Sequence, residues 1–86
     1  MGNEIRPEQY FSLCTGILLK DIEELAFTLD YMSEDEFRQH VNKKKNDFSC
    51  WIKDVFKEKS LAEEIARAHE KKEIQIALLK YLVKKR

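Results

Sequence analysis

The sequence predicts an all-α fold: a compact bundle of about four or five short helices behind an irregular N-terminal segment. Three observations carry this expectation. Only two glycines and one proline punctuate the chain, too few for the tight turns a β-sandwich or barrel requires. Apolar residues recur at helical spacing, most clearly Phe48, Trp51, Ile52, Val55 and Phe56 at i, i+3, i+4, i+7 and i+8. Charged residues make up 37%, as in helices with solvated faces, while a hydrophobic fraction of 43% supplies a core and argues against disorder. At 86 residues the chain is expected to be a single helical domain over residues 10–86, with residues 1–9 as a flexible N-terminus.

Residues 10–19 have no clean period and contain Gly16, which predicts an extended or irregular segment laid over the core. Asp21 then caps a first helix, with Glu24 three residues later as the acidic variant of a capping box; Ile22, Leu25, Ala26, Leu29 and Met32 form its apolar face. Ser33-Glu34-Asp35-Glu36 is a direct capping box for a second helix, with carboxylates at its positive end and Phe37, His40 and Val41 on one face. Lys43 to Asn46 break the pattern, and Asp47 is expected to cap the third helix, which carries the strongest amphipathic stripe. Ser60 and Glu63 form another capping box, opening a helix with Leu61, Ala62, Ile65 and Ala66 inward.

Nothing is apolar over residues 70–73, and then Ile74, Leu78, Leu79, Tyr81, Leu82 and Val83 follow. At about 100° per residue the Leu61/Ile65 stripe and the Ile74/Leu78/Leu82 stripe point in different directions. A break near residues 69–72 that folds the chain back is expected; the alternative is one helix whose C-terminal half meets another subunit. The expected core is Leu25, Leu29, Phe37, Val41, Phe48, Trp51, Ile52, Val55, Phe56, Leu61 and Ile65.

The formal net charge is zero, yet residues 1–36 hold nine acids and two bases, while residues 37–86 hold fourteen bases and seven acids. The plainer expectation is that the two halves pack together and neutralise each other; kept apart, they would give one face an attraction for an anionic partner. Cys14 and Cys50 are too few for a disulfide scaffold and read as free, buried or half-buried thiols, expected in a reducing, cytoplasmic setting. The N-terminus lacks a signal-peptide pattern, Arg6 occupies the position where a myristoylation motif needs Ser or Thr, and no apolar run approaches the ~20 residues of a membrane helix, so no membrane association is expected.

Chemistry-bearing patterns are sparse. Cys14, Cys50, His40 and His69 are isolated from one another, whereas zinc ligands come in pairs at short spacing, so no metal or cofactor is expected. The acid pairs Glu23-Glu24 and Glu63-Glu64 fall on exposed helix phases, and there is no phosphate loop or dinucleotide fingerprint. No catalytic residue and no enzyme activity is expected. Lys43-Lys44-Lys45 before the third helix gives a helix-turn-helix silhouette, and Lys84-Lys85-Arg86 adds a basic tail. His40 reads as a core-edge imidazole bonded to the next helix cap or to a backbone carbonyl.

The series Phe11…Thr15-Gly16, Asp21-Ile22-x-Glu24-Leu25 with Leu29, Phe37-x-x-His40-Val41, Asn46-Asp47-Phe48-x-x-Trp51-Ile52-x-Asp54-Val55 and Leu61-Ala62 resembles a family of small uncharacterised prokaryotic domains, the domain-of-unknown-function 5752 family. The likeness spans approximately residues 11–83, with His40, Asp47, Phe48 and Trp51 as its signature. The chain departs from it at Lys57-Glu58-Lys59-Ser60, where the family's pattern has a glycine-aspartate turn. The resemblance implies a compact all-helical domain, in relatives alone or attached to larger enzymes, and carries no activity.

These observations lead to an expected non-catalytic interaction or adaptor module with a protein partner. Its contact surface would be the basic turn of Lys43, Lys44 and Lys45, the tail of Lys84, Lys85 and Arg86, or the C-terminal helix through Leu78 and Leu82, with self-association through that helix as one form. Nucleic-acid binding through the lysine turn and tail is the alternative.

Overall fold

The computed structural model describes residues 5–85. It is mostly helical but not purely all-α, because four two-residue strands form two small antiparallel pairs. A 3-10 turn, Pro7–Gln9, precedes β1 (Phe11–Ser12) and β2 (Leu18–Leu19), which pair with Phe11 opposite Leu19 and Ser12 opposite Leu18. The connecting turn is closed by the Gly16 N–H donating to the Leu13 carbonyl (2.8 Å) and the Leu13 N–H donating to the Ile17 carbonyl (2.9 Å). Gly16 sits there at φ +93°, a left-handed conformation that side chains disfavour. The segment expected to be extended or irregular and laid over the core is thus a hairpin, with Leu13 and Leu19 buried. Of the N-terminus expected to be flexible, residues 1–4 lie outside the described residues, and Gln9 is bonded to the core: its carbonyl accepts the Trp51 indole N–H at 2.8 Å.

α1 (Ile22–Thr28) and α2 (Glu34–His40) start where their caps predict. Asp21 Oδ1 accepts the Glu24 N–H at 2.8 Å, and Ser33 Oγ accepts the Glu36 N–H at 3.1 Å. The reciprocal arms differ from a simple capping box: Glu24 reaches the Lys20 N–H, and Glu36 accepts from the Thr15 hydroxyl, tying the first hairpin to α2.

Between α2 and α3 (Asp47–Phe56) the helix-turn-helix silhouette is corrected to a helix–hairpin–helix. β3 (Val41–Asn42) pairs with β4 (Lys45–Asn46) around a Lys43-Lys44 loop. Asn42 makes that turn: its Oδ1 accepts the Lys44 N–H at 2.9 Å while its Nδ2 donates to the Arg38 carbonyl at 2.9 Å. The cap of α3 is Asn46, whose Oδ1 accepts the Ser49 N–H at 3.0 Å, and not Asp47, which is already helical. Asp47 is drawn instead to the imidazole of His40.

α3 ends in a left-handed Lys57 (φ 60°, ψ 28°), and the Glu58 N–H bonds the Ile52 carbonyl at 3.4 Å. Such a position ordinarily takes glycine. After this tight turn α4 (Lys59–Ala66) begins at once, so Ser60 falls inside its first turn and is not the cap; the N-cap is Glu58, without a side-chain cap bond. The chain then breaks before α5 (Lys71–Lys85), as the two diverging stripes predict. Glu73 Oε1 accepts the N–H groups of His69 (3.1 Å) and Glu70 (3.2 Å), while Arg38 donates to the His69 carbonyl (2.9 Å) and reaches Glu70 (3.4 Å).

α3 packs on α4, and α5 folds back against both α1 and α4. Every expected core residue is buried except Val55 and Phe56, which pack half-buried against the core's edge. Ile74, Ala77 and Leu78, absent from the expected core, are brought into it by α5. Phe11 is the hub that joins the first hairpin to α3: its ring centroid lies 5.1 Å from Phe48, 5.2 Å from His40 and 5.6 Å from Trp51.

Candidate interaction surfaces

Three places gather polar or apolar groups of the kinds from which functional sites are built. The first surrounds His40, which is 7% exposed. Its Nε2 accepts the backbone N–H of Cys14 at 3.2 Å, which leaves the ring proton on Nδ1, 3.1 Å from Asp47 Oδ2. Lys45 Nζ reaches the same carboxylate oxygen at 3.2 Å. An Asp–His pair of this kind orients general bases, but here the nitrogen that would take a proton is occupied by a main-chain donor. The arrangement therefore joins the β1–β2 turn, α2 and α3, as Phe48 and Trp51 do by packing.

The second place is a cleft of about 740 Å³ between the β3–β4 hairpin, α3 and the turn before α5, lined by Arg38, Lys43, Lys44, Lys45, Ser49 and His69 among others. Its polar groups are largely committed within the fold. Arg38 holds Glu34, Glu70 and the His69 carbonyl, Lys45 pairs with Asp47, Asn46 Nδ2 donates to the Ile65 carbonyl, and Ser49 Oγ donates to the Ala62 carbonyl. Lys43 and Lys44 stand exposed at the hairpin tip and form no ion pair among the described residues.

The third lies along α1 and α5. Phe27 and Val83 are each 65% exposed, with Leu79 at 48% and Ile76 at 47%. Phe27, Leu79, Leu82 and Val83 line a groove of about 380 Å³ between the two helices. Ile76, Leu79 and Val83 also line a shallower recess on the outside of α5. Leu78, expected at a contact surface, is fully buried: it faces the side of α5 that α1 and α4 cover. Leu82 is half-buried in the groove wall. Lys84 is exposed, and Lys85 pairs with Glu58 at 3.6 Å; Arg86 lies outside the described residues.

Glu58 Oε2 also accepts the Tyr81 hydroxyl at 2.7 Å. Burial, that hydrogen bond and the Glu58 charge, in that order, raise the Tyr81 phenol above its ordinary range.

The signal for the α1–α5 face is present in the sequence as a second stripe. At about 100° per residue, Ile76, Leu79 and Val83 fall together, away from Ile74 and Leu78. The expected neutralisation of the two charge halves is limited to one contact among the described residues, Glu34 with Arg38 at 3.7 Å. Cys14 and Cys50 are exposed, against the expectation of burial: Cys14 sits in the β1–β2 turn, and Cys50 lies on the opposite helical phase of α3 from Phe48. No group of three or more His, Cys, Asp or Glu is placed to hold a metal among the described residues, and no helix there is long and apolar enough to cross a membrane.

No family model matches the chain, and neither a curated protein nor a solved structure does.

Proposed function

We propose that this chain is a non-catalytic protein-interaction module whose contact surface is the α1–α5 face. The observation that carries the reading is that Phe27, Leu79 and Val83, all well exposed, share one groove. Single exposed apolar residues are ordinary; several contiguous ones mark a surface that another molecule covers. The hairpin cleft supports a ligand site less well, because most of its polar groups already serve the fold. Two exposed free thiols support a cytoplasmic setting.

A photo-reactive amino acid at Val83, compared in its native host with one at Lys53 on the outer side of α3, tests the reading. Discrete cross-linked species from position 83 and none from position 53 are expected. Absence of any species from position 83 would defeat the proposal.

Nucleic-acid binding is the second reading, favoured by Lys43 and Lys44 at the hairpin tip. It requires retardation of nucleic acid at low salt that weakens steeply as salt rises and is lost in a Lys43→Ala/Lys44→Ala variant.

A further inference from the structure

The α1–α5 face is complementary to itself, and we infer that its occupant is a second copy of this chain, in a two-fold symmetric dimer. The inference rests on reading that face as an interaction surface. Along α5 from Gln75 to Lys84, chemistry changes in one direction across the face; Lys85, which also lines the groove, is taken by Glu58. The α1 edge is acidic, with Glu23 and Asp30 exposed and no base within Ile22–Thr28. The middle is the apolar groove. The far flank of α5 is basic, with Lys80 and Lys84 exposed.

Helical phase fixes which flank is which. Gln75 marks the α1 side of α5, since its Nε2 donates to the Ala26 carbonyl at 2.9 Å and to Asp30 at 2.6 Å. Counting about 100° per residue from Gln75, Leu79 and Val83 come next, and Lys80 and Lys84 lie beyond them. Among the described residues, Glu23, Lys80 and Lys84 have no ion-pair partner within their own chain.

An acidic–apolar–basic strip can meet a copy of itself in two ways. A two-fold axis running across α5 sets acidic edge on acidic edge and lysine on lysine. An axis running along α5 sets the α1 acids of each copy over the α5 lysines of the other, twice, and closes the apolar strips on each other. The second arrangement is the one inferred. Zero formal net charge leaves no overall repulsion between copies. The 15-residue α5 is about 22 Å long. A strip of that length and two helices wide falls at or below the roughly 800 Å² per partner of a standard interface, which makes the dimer reversible and concentration-dependent.

Sedimentation equilibrium from about 1 μM to about 1 mM chain tests the inference, because a reversible small interface dissociates within that range. The mass is expected to rise from one chain to two. Glu23→Lys and Lys84→Glu should each weaken association about tenfold, since every change acts twice in a two-fold interface, and the double variant should regain it. These positions are exposed, so circular dichroism serves to establish that each variant is folded. One-chain mass across the range overturns the inference, as does a double variant no stronger than either single one. A one-chain protein whose Val83 cross-linker captures a different protein overturns the second copy while leaving the interaction face standing. A one-chain protein with no cross-linked species removes both.

Discussion

α3 and α5 both carry many apolar residues, yet they place them differently. In α3, Phe48, Trp51 and Ile52 are buried while Lys53 and Asp54 face solvent, so one face packs and the other is wetted. In α5, Ile74, Ala77 and Leu78 are buried, and Ile76, Leu79 and Val83 stand exposed on the other side. A helix with one apolar stripe is fully explained by its own fold. A helix with two has apolar surface left over after the core is complete, and that surplus is the surface the proposed partner would cover. The same contrast holds for polar groups: His40 and Asp47 are bonded into the fold, whereas Lys80 and Lys84 form no ion pair among the described residues.

The adjacent leucines of α5 offer the sharpest way to break this comparison. Leu78→Ala should lower stability by about 2–5 kcal/mol, and Trp51→Ala by about 3–5 kcal/mol, because each empties a filled core position. Leu79→Ala should stay within about 0.5 kcal/mol in dilute solution. Urea denaturation reads all three, and a Leu79→Ala loss equal to that of Leu78→Ala would erase the distinction between the two faces.

Next in size is the imidazole. His40→Ala strands the Cys14 N–H and removes the bond to Asp47, with an expected loss of about 1–3 kcal/mol. Lys43→Ala, at the hairpin tip beside it, should be silent to within about 0.5 kcal/mol in the same denaturation experiment.

Tyr81 sharpens the comparison at the C-terminal end of α5. Its phenol is held protonated by burial and by Glu58, so the folded state binds that proton more tightly than the unfolded chain. The resulting stability is fully present below about pH 10, where the unfolded phenol titrates, and is lost as pH rises above it. Tyr81→Phe should cost on the order of 1 kcal/mol at neutral pH and show a shallower alkaline decline than the wild type. Equal alkaline slopes would contradict the Tyr81–Glu58 bond.

The smallest effect has the opposite sign. Lys57→Gly relieves a left-handed side-chain-bearing residue and should stabilise the protein by about 0.5–1 kcal/mol, read as a raised melting temperature.

Most of the helices are legible in the sequence, because capping residues and apolar spacing are local signals. Asp21, Ser33 and the α4–α5 break follow from them. What is not legible depends on contacts between distant residues. Asp47 resembles a cap, yet the imidazole seven residues earlier claims it and Asn46 caps instead. Ser60 resembles a cap, but the left-handed Lys57 starts α4 ahead of it. The β3–β4 hairpin hides in Asn42, whose side chain builds a turn that neither glycine nor proline announces. Along α5, the sequence shows that apolar residues are many; only the positions of α1 and α4 decide that Leu78 is covered and Leu79 is not.

Backbone amide spectra of the isotopically labelled chain, recorded at low and high concentration, address the division between scaffold and surface most directly. Shifts are expected for Phe27, Ile76, Leu79, Val83 and their neighbours, with Lys43, Lys44 and the α3 amides unmoved. Spectra that do not change with concentration, or that change at the hairpin instead of along α1 and α5, would contradict it.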